Sequence, residues 1–110
     1  MLRRGLRLKG ELVQAEIRCR EVIARGGDAG ATSDIWRELG AALFAGRRFE
    51  EAEATLSRAW ASRPEWPPKA ERARKETAAW LARTCEALAS RRPGAGYEEK
   101  AARWKRESLR

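Results

Sequence analysis

Residues 33–66, SDIWRELGAALFAGRRFEEAEATLSRAWASRPEW, decide the fold. Trp36, Leu39 and Leu43 recur at the three- and four-residue spacing that gathers side chains on one face of an α-helix. Phe49, Ala52, Leu56 and Ala59 repeat the pattern after Gly46, which marks a tight turn, and Trp60 extends that face. Two antiparallel helices joined by so short a connection must approach closely. Gly40 and Ala52 are the small residues that permit it. Pro64 stops the second helix, because it lacks a backbone N–H and disfavours helix in the residue before it.

These positions carry a family resemblance. Trp36, two residues, Leu39-Gly40, two residues and Leu43 match the first half of the tetratricopeptide (TPR) signature. Ala52, three residues, Leu56, then Ala59 and Pro64 match the second half. Leu43 stands where the family has Tyr, and Leu56 where it has Phe; both exchanges keep a large apolar group. The window resembles one complete repeat of the standard ~34-residue period.

Working outward, the breakers Gly26-Gly27-Asp28-Ala29-Gly30, Pro64 with Pro67-Pro68, and Pro93-Gly94-Ala95-Gly96 divide the chain into helices. One is expected from about Glu11 to Arg25, with Leu12, Ala15, Cys19, Val22 and Ile23 on its apolar face. A second runs to Ala45 from N-cap candidates at Thr32-Ser33-Asp34. A third covers about Arg47 to Ser62, a fourth Lys69 to Arg91, and a last one starts near Tyr97, using Ala101 and Trp104. Leu2, Leu6 and Leu8 either form a short helix ending at Gly10 or continue the next helix backwards through it. The second option costs about 1 kcal/mol for the glycine. Gly10 to Ala15 echoes Gly46 to Ala52, and Gly96 to Ala101 echoes the same turn and second helix. Leu81, Thr84, Cys85 and Leu88 imitate a first-helix face, which leaves Lys69–Thr77 as an extension. The expected architecture is therefore all-α: antiparallel helix pairs stacked as a short TPR-like right-handed solenoid of about five to six helices. Residues 1–110 form a single domain, with a truncated repeat at 1–25 and the full repeat at 33–66. A degenerate repeat with a longer loop and a capping helix occupies 69–108.

Composition narrows the function. With 43% hydrophobic residues the chain can build a core, while 36% charged residues and no long apolar run argue against a membrane span. The basic N-terminus lacks the apolar stretch of a signal peptide, so the expected compartment is the cytoplasm. Cys19 and Cys85 read as buried reduced thiols. Histidine is absent, which removes His-based general bases and triads and most zinc sites. Glu50, Glu51, Glu98 and Glu99 sit at solvated helix starts where they complement the dipole, and nothing in the sequence pairs them. The chain is expected not to be an enzyme and to need no cofactor or metal. Of the net charge of +8, residues 1–10 carry +4 and residues 101–110 carry +3, leaving the middle nearly neutral.

The TPR resemblance implies a concave groove, lined by the first helix of each repeat, that receives a peptide or helix from a protein partner. It assigns Asp34, Arg37, Ala41 and Phe44, with Ala45 beside them, to that side. Phe44 and Arg37 are either the anchors of a partner or, respectively, packing against the next repeat and a solvated charge. The carboxylate clamp of chaperone-binding TPR proteins is not carried over, because Glu38 and Ala41 stand where polar or basic donors are required. A rival reading is nucleic-acid binding through Arg3, Arg4, Arg7, Lys9, Arg91, Arg92, Arg103, Lys105 and Arg106. Leu2, Leu6 and Leu8 are further expected to supply either a cap on the short array or a self-association face. Trp66, between prolines, either covers the end of the core or meets a partner.

Overall fold

Abundant Ala, Leu, Arg and Glu favour helix throughout, and the described residues form five α-helices: α1 (Leu2–Ala24), α2 (Ala29–Ala45), α3 (Phe49–Ala61), α4 (Glu71–Arg91) and α5 (Tyr97–Leu109). The structure is a computed structural model. It describes the backbone of residues 2–26, 29–63 and 65–110, and all of their side chains except those of 2–9, 11, 23 and 29. Pro64, the side chain of Ile23, and the side chains of Leu2, Leu6 and Leu8 on which a capping role was expected therefore lie outside the described residues. No strand occurs among the described residues, and a 3-10 turn over Pro68–Ala70 leads into α4. The helices form a slab of 43 × 39 × 18 Å rather than a ball.

The pair α2–α3 is the centre. A Cβ built on Gly40 would fall well inside contact distance of Leu56 Cγ and Cδ2, so the glycine is what lets the two helices close. Leu43, Ala52, Leu56 and Ala59 are fully buried there, with Trp36 and Leu39 nearly so. The turn between the helices is a Schellman closure: Arg48 N–H donates to Leu43 O and Arg47 N–H to Phe44 O, both at 2.9 Å. Its left-handed residue is Arg47, at φ 62°, and not the neighbouring Gly46. A side chain in that conformation costs roughly 1–2 kcal/mol relative to glycine.

Two expectations about helix starts change. The second helix begins at Ala29, ahead of the Thr32-Ser33-Asp34 cap candidates. Ser33 lies wholly buried inside it, and its hydroxyl donates to Ala59 O at 3.2 Å. A carbonyl near the C-terminal end of α3 thus claims the hydroxyl that sequence assigned to capping. The first helix takes the longer of its two options and passes through Gly10 without a break. Around α2–α3, Ala15 and Cys19 of α1 join the buried cluster, and Leu12 packs against it. Val13 and Ile17, on the far side of α1, stay 55% and 43% exposed.

On the other flank, Leu81, Thr84, Cys85 and Leu88 of α4 are fully buried, as the first-helix pattern required. Buried Thr77 and Thr84 satisfy their hydroxyls on the carbonyls of Ala73 and Trp80, four residues back, at 2.8 and 2.7 Å. Arg74 of α4 donates to Glu107 O of α5 at 3.0 Å, fastening the start of one helix to the end of the other. Gly96, at φ 92°, supplies the left-handed residue from which α5 starts.

Exchange of the two helical glycines for alanine separates packing from propensity. Gly40→Ala gains about 1 kcal/mol of helix propensity but meets an overpacking cost of about 1–3 kcal/mol, so its urea midpoint should fall. Gly10→Ala meets nothing within 4 Å and should raise the midpoint by about 0.4–1 kcal/mol equivalent. Equal shifts of the same sign would contradict the close approach at Gly40.

Candidate functional site

Helices α2 and α4 run side by side, and their facing stripes build the surface on which the sequence-predicted residues lie. Asp34, Arg37, Ala41 and Phe44 follow one another at spacings of three, four and three along α2. Glu76, Trp80, Arg83, Ala87 and Arg91 do the same along α4. Arg37 joins the stripes: its Nη2 binds Asp34 Oδ1 at 2.7 Å and its Nε lies 3.7 Å from Glu76 Oε2. Only 16% of the Arg37 side chain is exposed, against 55% for Asp34, so Arg37 is a partnered bridge and not a solvated charge. Its Nη1 is buried and has no hydrogen-bond partner among the described residues. Ala41 is half-buried beside it.

Phe44 is half-buried, with its ring centroid 5.2 Å from that of Phe49 and 5.5 Å from that of Trp80. It packs against α3 and α4 while keeping part of its ring in the surface. The basic side chains around it stack on the aromatics: Arg83 lies 5.2 Å from the Trp80 ring centroid and Arg91 4.7 Å from that of Phe49. The sequence pattern did not single out Glu76, Arg83 or Ala87. Their signal was the spacing 76, 80, 83, 87 and 91, which lines one helix face but is masked by the buried stripe that adjoins it.

The other tryptophans are packing groups. Trp60 lies 4.9 Å from Trp104 and 5.6 Å from Trp66, centroid to centroid. Trp66 therefore covers the end of the core, with Arg63 stacked on it at 5.1 Å. The basic residues proposed for phosphate binding are dispersed. Arg92 pairs with Glu50 at 3.0 Å, Arg103 lies against Trp104, and Lys105 and Arg106 are exposed on α5. The side chains of Arg3, Arg4, Arg7 and Lys9 lie outside the described residues. The helix-start carboxylates are not all unpaired as expected: Glu50 meets Arg92, Glu51 meets Arg48, and Glu98 accepts Gly94 N–H at 3.1 Å. Backbone N–H donors, its own and that of Gly94, hold the Glu98 carboxyl below its ordinary pKa.

Both cysteines are free and buried. Cys85 donates to Glu53 Oε2 at 3.6 Å, and the same oxygen lies 3.6 Å from Lys100 Nζ, tying α3, α4 and α5 together. Burial, followed by the charge and hydrogen bond of Glu53, pushes the Cys85 thiol up to about 12. Burial also raises Cys19, with Arg58 opposing. Thiols so placed stay protonated and are poor nucleophiles at neutral pH. Among the described residues no three metal-ligating groups cluster, and no helix is long and apolar enough to cross a membrane. A separate open cleft of about 550 Å³ runs between α1 and α2, edged by Gln14, Arg18, Ile35, Glu38 and Ala42.

No family model, curated protein or solved structure matches the chain.

The raised Cys85 pKa fixes the sign of a pH effect. Above pH ~9 the unfolded chain ionises this thiol while the folded chain does not. Stability present below that pH is lost as the pH climbs towards 12, by up to about 1.4 kcal/mol per pH unit. Urea melts of the wild type and Cys85→Ala should therefore diverge between pH 8 and 10.5, the wild type falling more steeply. Parallel curves would mean that the thiol is not held protonated.

Proposed function

We propose that the chain is a non-catalytic, TPR-like scaffold that holds a peptide or helix of a protein partner along the α2/α4 face. The observation that carries this reading is the juxtaposition of the two helix stripes. Asp34, Arg37, Ala41 and Phe44 form one wall, and Glu76, Trp80 and Arg83 form the other. The walls are joined by Arg37–Glu76 and Phe44–Trp80.

The order of packing supports the repeat resemblance. Helices α2 and α3 make an antiparallel pair, as do α4 and α5, and α2 also contacts α4. In a right-handed TPR-like solenoid, α1 would be the second helix of a truncated repeat, and α2 and α4 the first helices that line the concave side. Small side chains at the centre of the α2 wall, Ala41 above all, leave room for a partner's backbone. Aromatic and guanidinium groups at one end offer the residue types that dominate binding energy at interfaces. Two protonated, unbridged thiols suit a reducing cytoplasm.

Binding of nucleic acid through the basic ends is the rival. Several of those cations are engaged by carboxylates or rings within the chain, which weakens it. The two readings part in a pull-down at low and high salt, with protein and nucleic acid in the eluate quantified separately. A discrete protein should be retained at high salt by the wild type and lost with Ala41→Glu, a change at a half-buried position of the α2 stripe, with an unchanged urea midpoint as the check that the variant folds. Nucleic acid recovered only at low salt, and unaffected by Ala41→Glu, would overturn the scaffold.

A further inference from the structure

Five side chains form a continuous strip at one end of the α2/α4 face: Arg83, Trp80, Phe44, Phe49 and Arg91. Successive neighbours lie 5.2, 5.5, 5.2 and 4.7 Å apart, measured from ring centroid to ring centroid or from guanidinium to ring centroid. The three rings are half-buried and the two guanidinium groups are exposed. We propose that this strip selects an acidic, extended segment of a protein partner, with one apolar side chain seated on Phe44 and Trp80 and a carboxylate at each flanking arginine. The inference rests on the scaffold reading above and names the chemistry of the partner.

The charge balance around the strip carries the argument. Neither Arg83 nor Arg91 has a carboxylate partner among the described residues. Of the acids flanking the strip, Glu50 lies 3.0 Å from Arg92, and Glu76 lies 3.7 Å from Arg37 and 3.3 Å from Arg72; Glu86, three residues after Arg83, makes no ion pair with it among the described residues. Arg47, exposed in the turn between Phe44 and Phe49, adds a third cation without a carboxylate partner, at a left-handed position where glycine would be cheaper. Exposed guanidinium groups placed over aromatic rings leave N–H donors in solvent, and those donors bind carboxylates in a bidentate fork.

Geometry then sets the spacing of the ligand. Arg83 and Arg91 are eight residues apart on α4, about 12 Å along the helix axis. An extended peptide covers that distance in about four residues, at about 3.3 Å each. Side chains at i, i+2 and i+4 of an extended segment point to the same side. The pattern that fits is therefore acidic, any, apolar, any, acidic. Nucleic acid fits less well, because bases stack on open ring faces. Here the aromatic rings turn edges into one another, and the guanidinium groups occupy faces of Trp80 and Phe49.

The test uses the full chain and fluorescence anisotropy with labelled synthetic peptides carrying a Glu-Ser-Phe-Ser-Glu core. Companions replace both Glu by Gln, replace Phe by Ser, or set the two Glu side by side. Labelled oligodeoxythymidine is the nucleic-acid arm. The parent peptide should bind, and each companion should bind at least about tenfold more weakly. Arg83→Gln and Arg91→Gln should each cost roughly tenfold, the scale of one hydrogen-bonded charged partner. Lys105→Gln, an equal charge change on α5, should leave binding unchanged. Equal binding of the Gln companion, or equal loss with Lys105→Gln, would overturn the acidic selection. If in that case Ala41→Glu still abolishes peptide binding, the groove stands and only its chemistry is wrong. Binding of oligodeoxythymidine without any peptide would overturn both readings.

Discussion

The missing side chain at position 40 is the constraint on which the remaining structure hangs. Because Gly40 offers no Cβ, Leu56 can lie against the α2 backbone and the two helices close to a distance that no larger residue allows. That approach brings Ser33 to the carbonyl of Ala59 at one end of the pair. At the other end it brings Phe44 to Phe49. Both later layers are built on these ends: α1 packs over Trp36 and Leu39, and α4 over Phe44. The surface proposed to hold a partner thus inherits its shape from a contact on the adjoining face of α2.

Charge plays a smaller part in stability than its abundance suggests. Most ion pairs among the described residues have at least one partner more than half exposed, as in Arg58–Glu16 and Arg92–Glu50, and pairs of that kind contribute about 0–1 kcal/mol each. The exception in kind is the arginine laid on an aromatic ring, which recurs at Trp36, Trp66, Trp80, Phe49 and Trp104. There the methylene stem covers apolar surface and the charged edge stays in water. A chain so rich in arginine can cover half-buried rings with residues that also keep a charge in water.

The elements legible in the sequence were those where one residue type has a single physical reason. Gly40 and Ala52 announced a close helix pair, and the Leu81–Leu88 pattern announced a buried face on α4. Legibility failed where two outcomes differ by little free energy or depend on a distant group. The path of α1 through Gly10 turns on about 1 kcal/mol, less than the packing of the helix can supply. Ser33 looked like a cap because the Ala59 carbonyl that claims it is 26 residues away. The stripe Asp34, Arg37, Ala41 and Phe44 was visible as a helix face, whereas its opposing wall was not. Pairing of Arg37 with Glu76, and of Phe44 with Trp80, needs the relative rotation of α2 and α4, and no local pattern records that rotation.

The packing order has a kinetic side. The main interfaces join α1 to α2, α2 to α3, α3 to α4 and α4 to α5, each between neighbours in the chain. Loops that must close before such contacts form are short, and chains of low contact order fold quickly, in microseconds to milliseconds. A nucleus at the α2–α3 hairpin can grow in both directions, one helix at a time, with no long-range pairing to wait for. Pulled from its two ends, the same molecule would peel rather than rupture, yielding its outer helices before the glycine-locked pair at the centre.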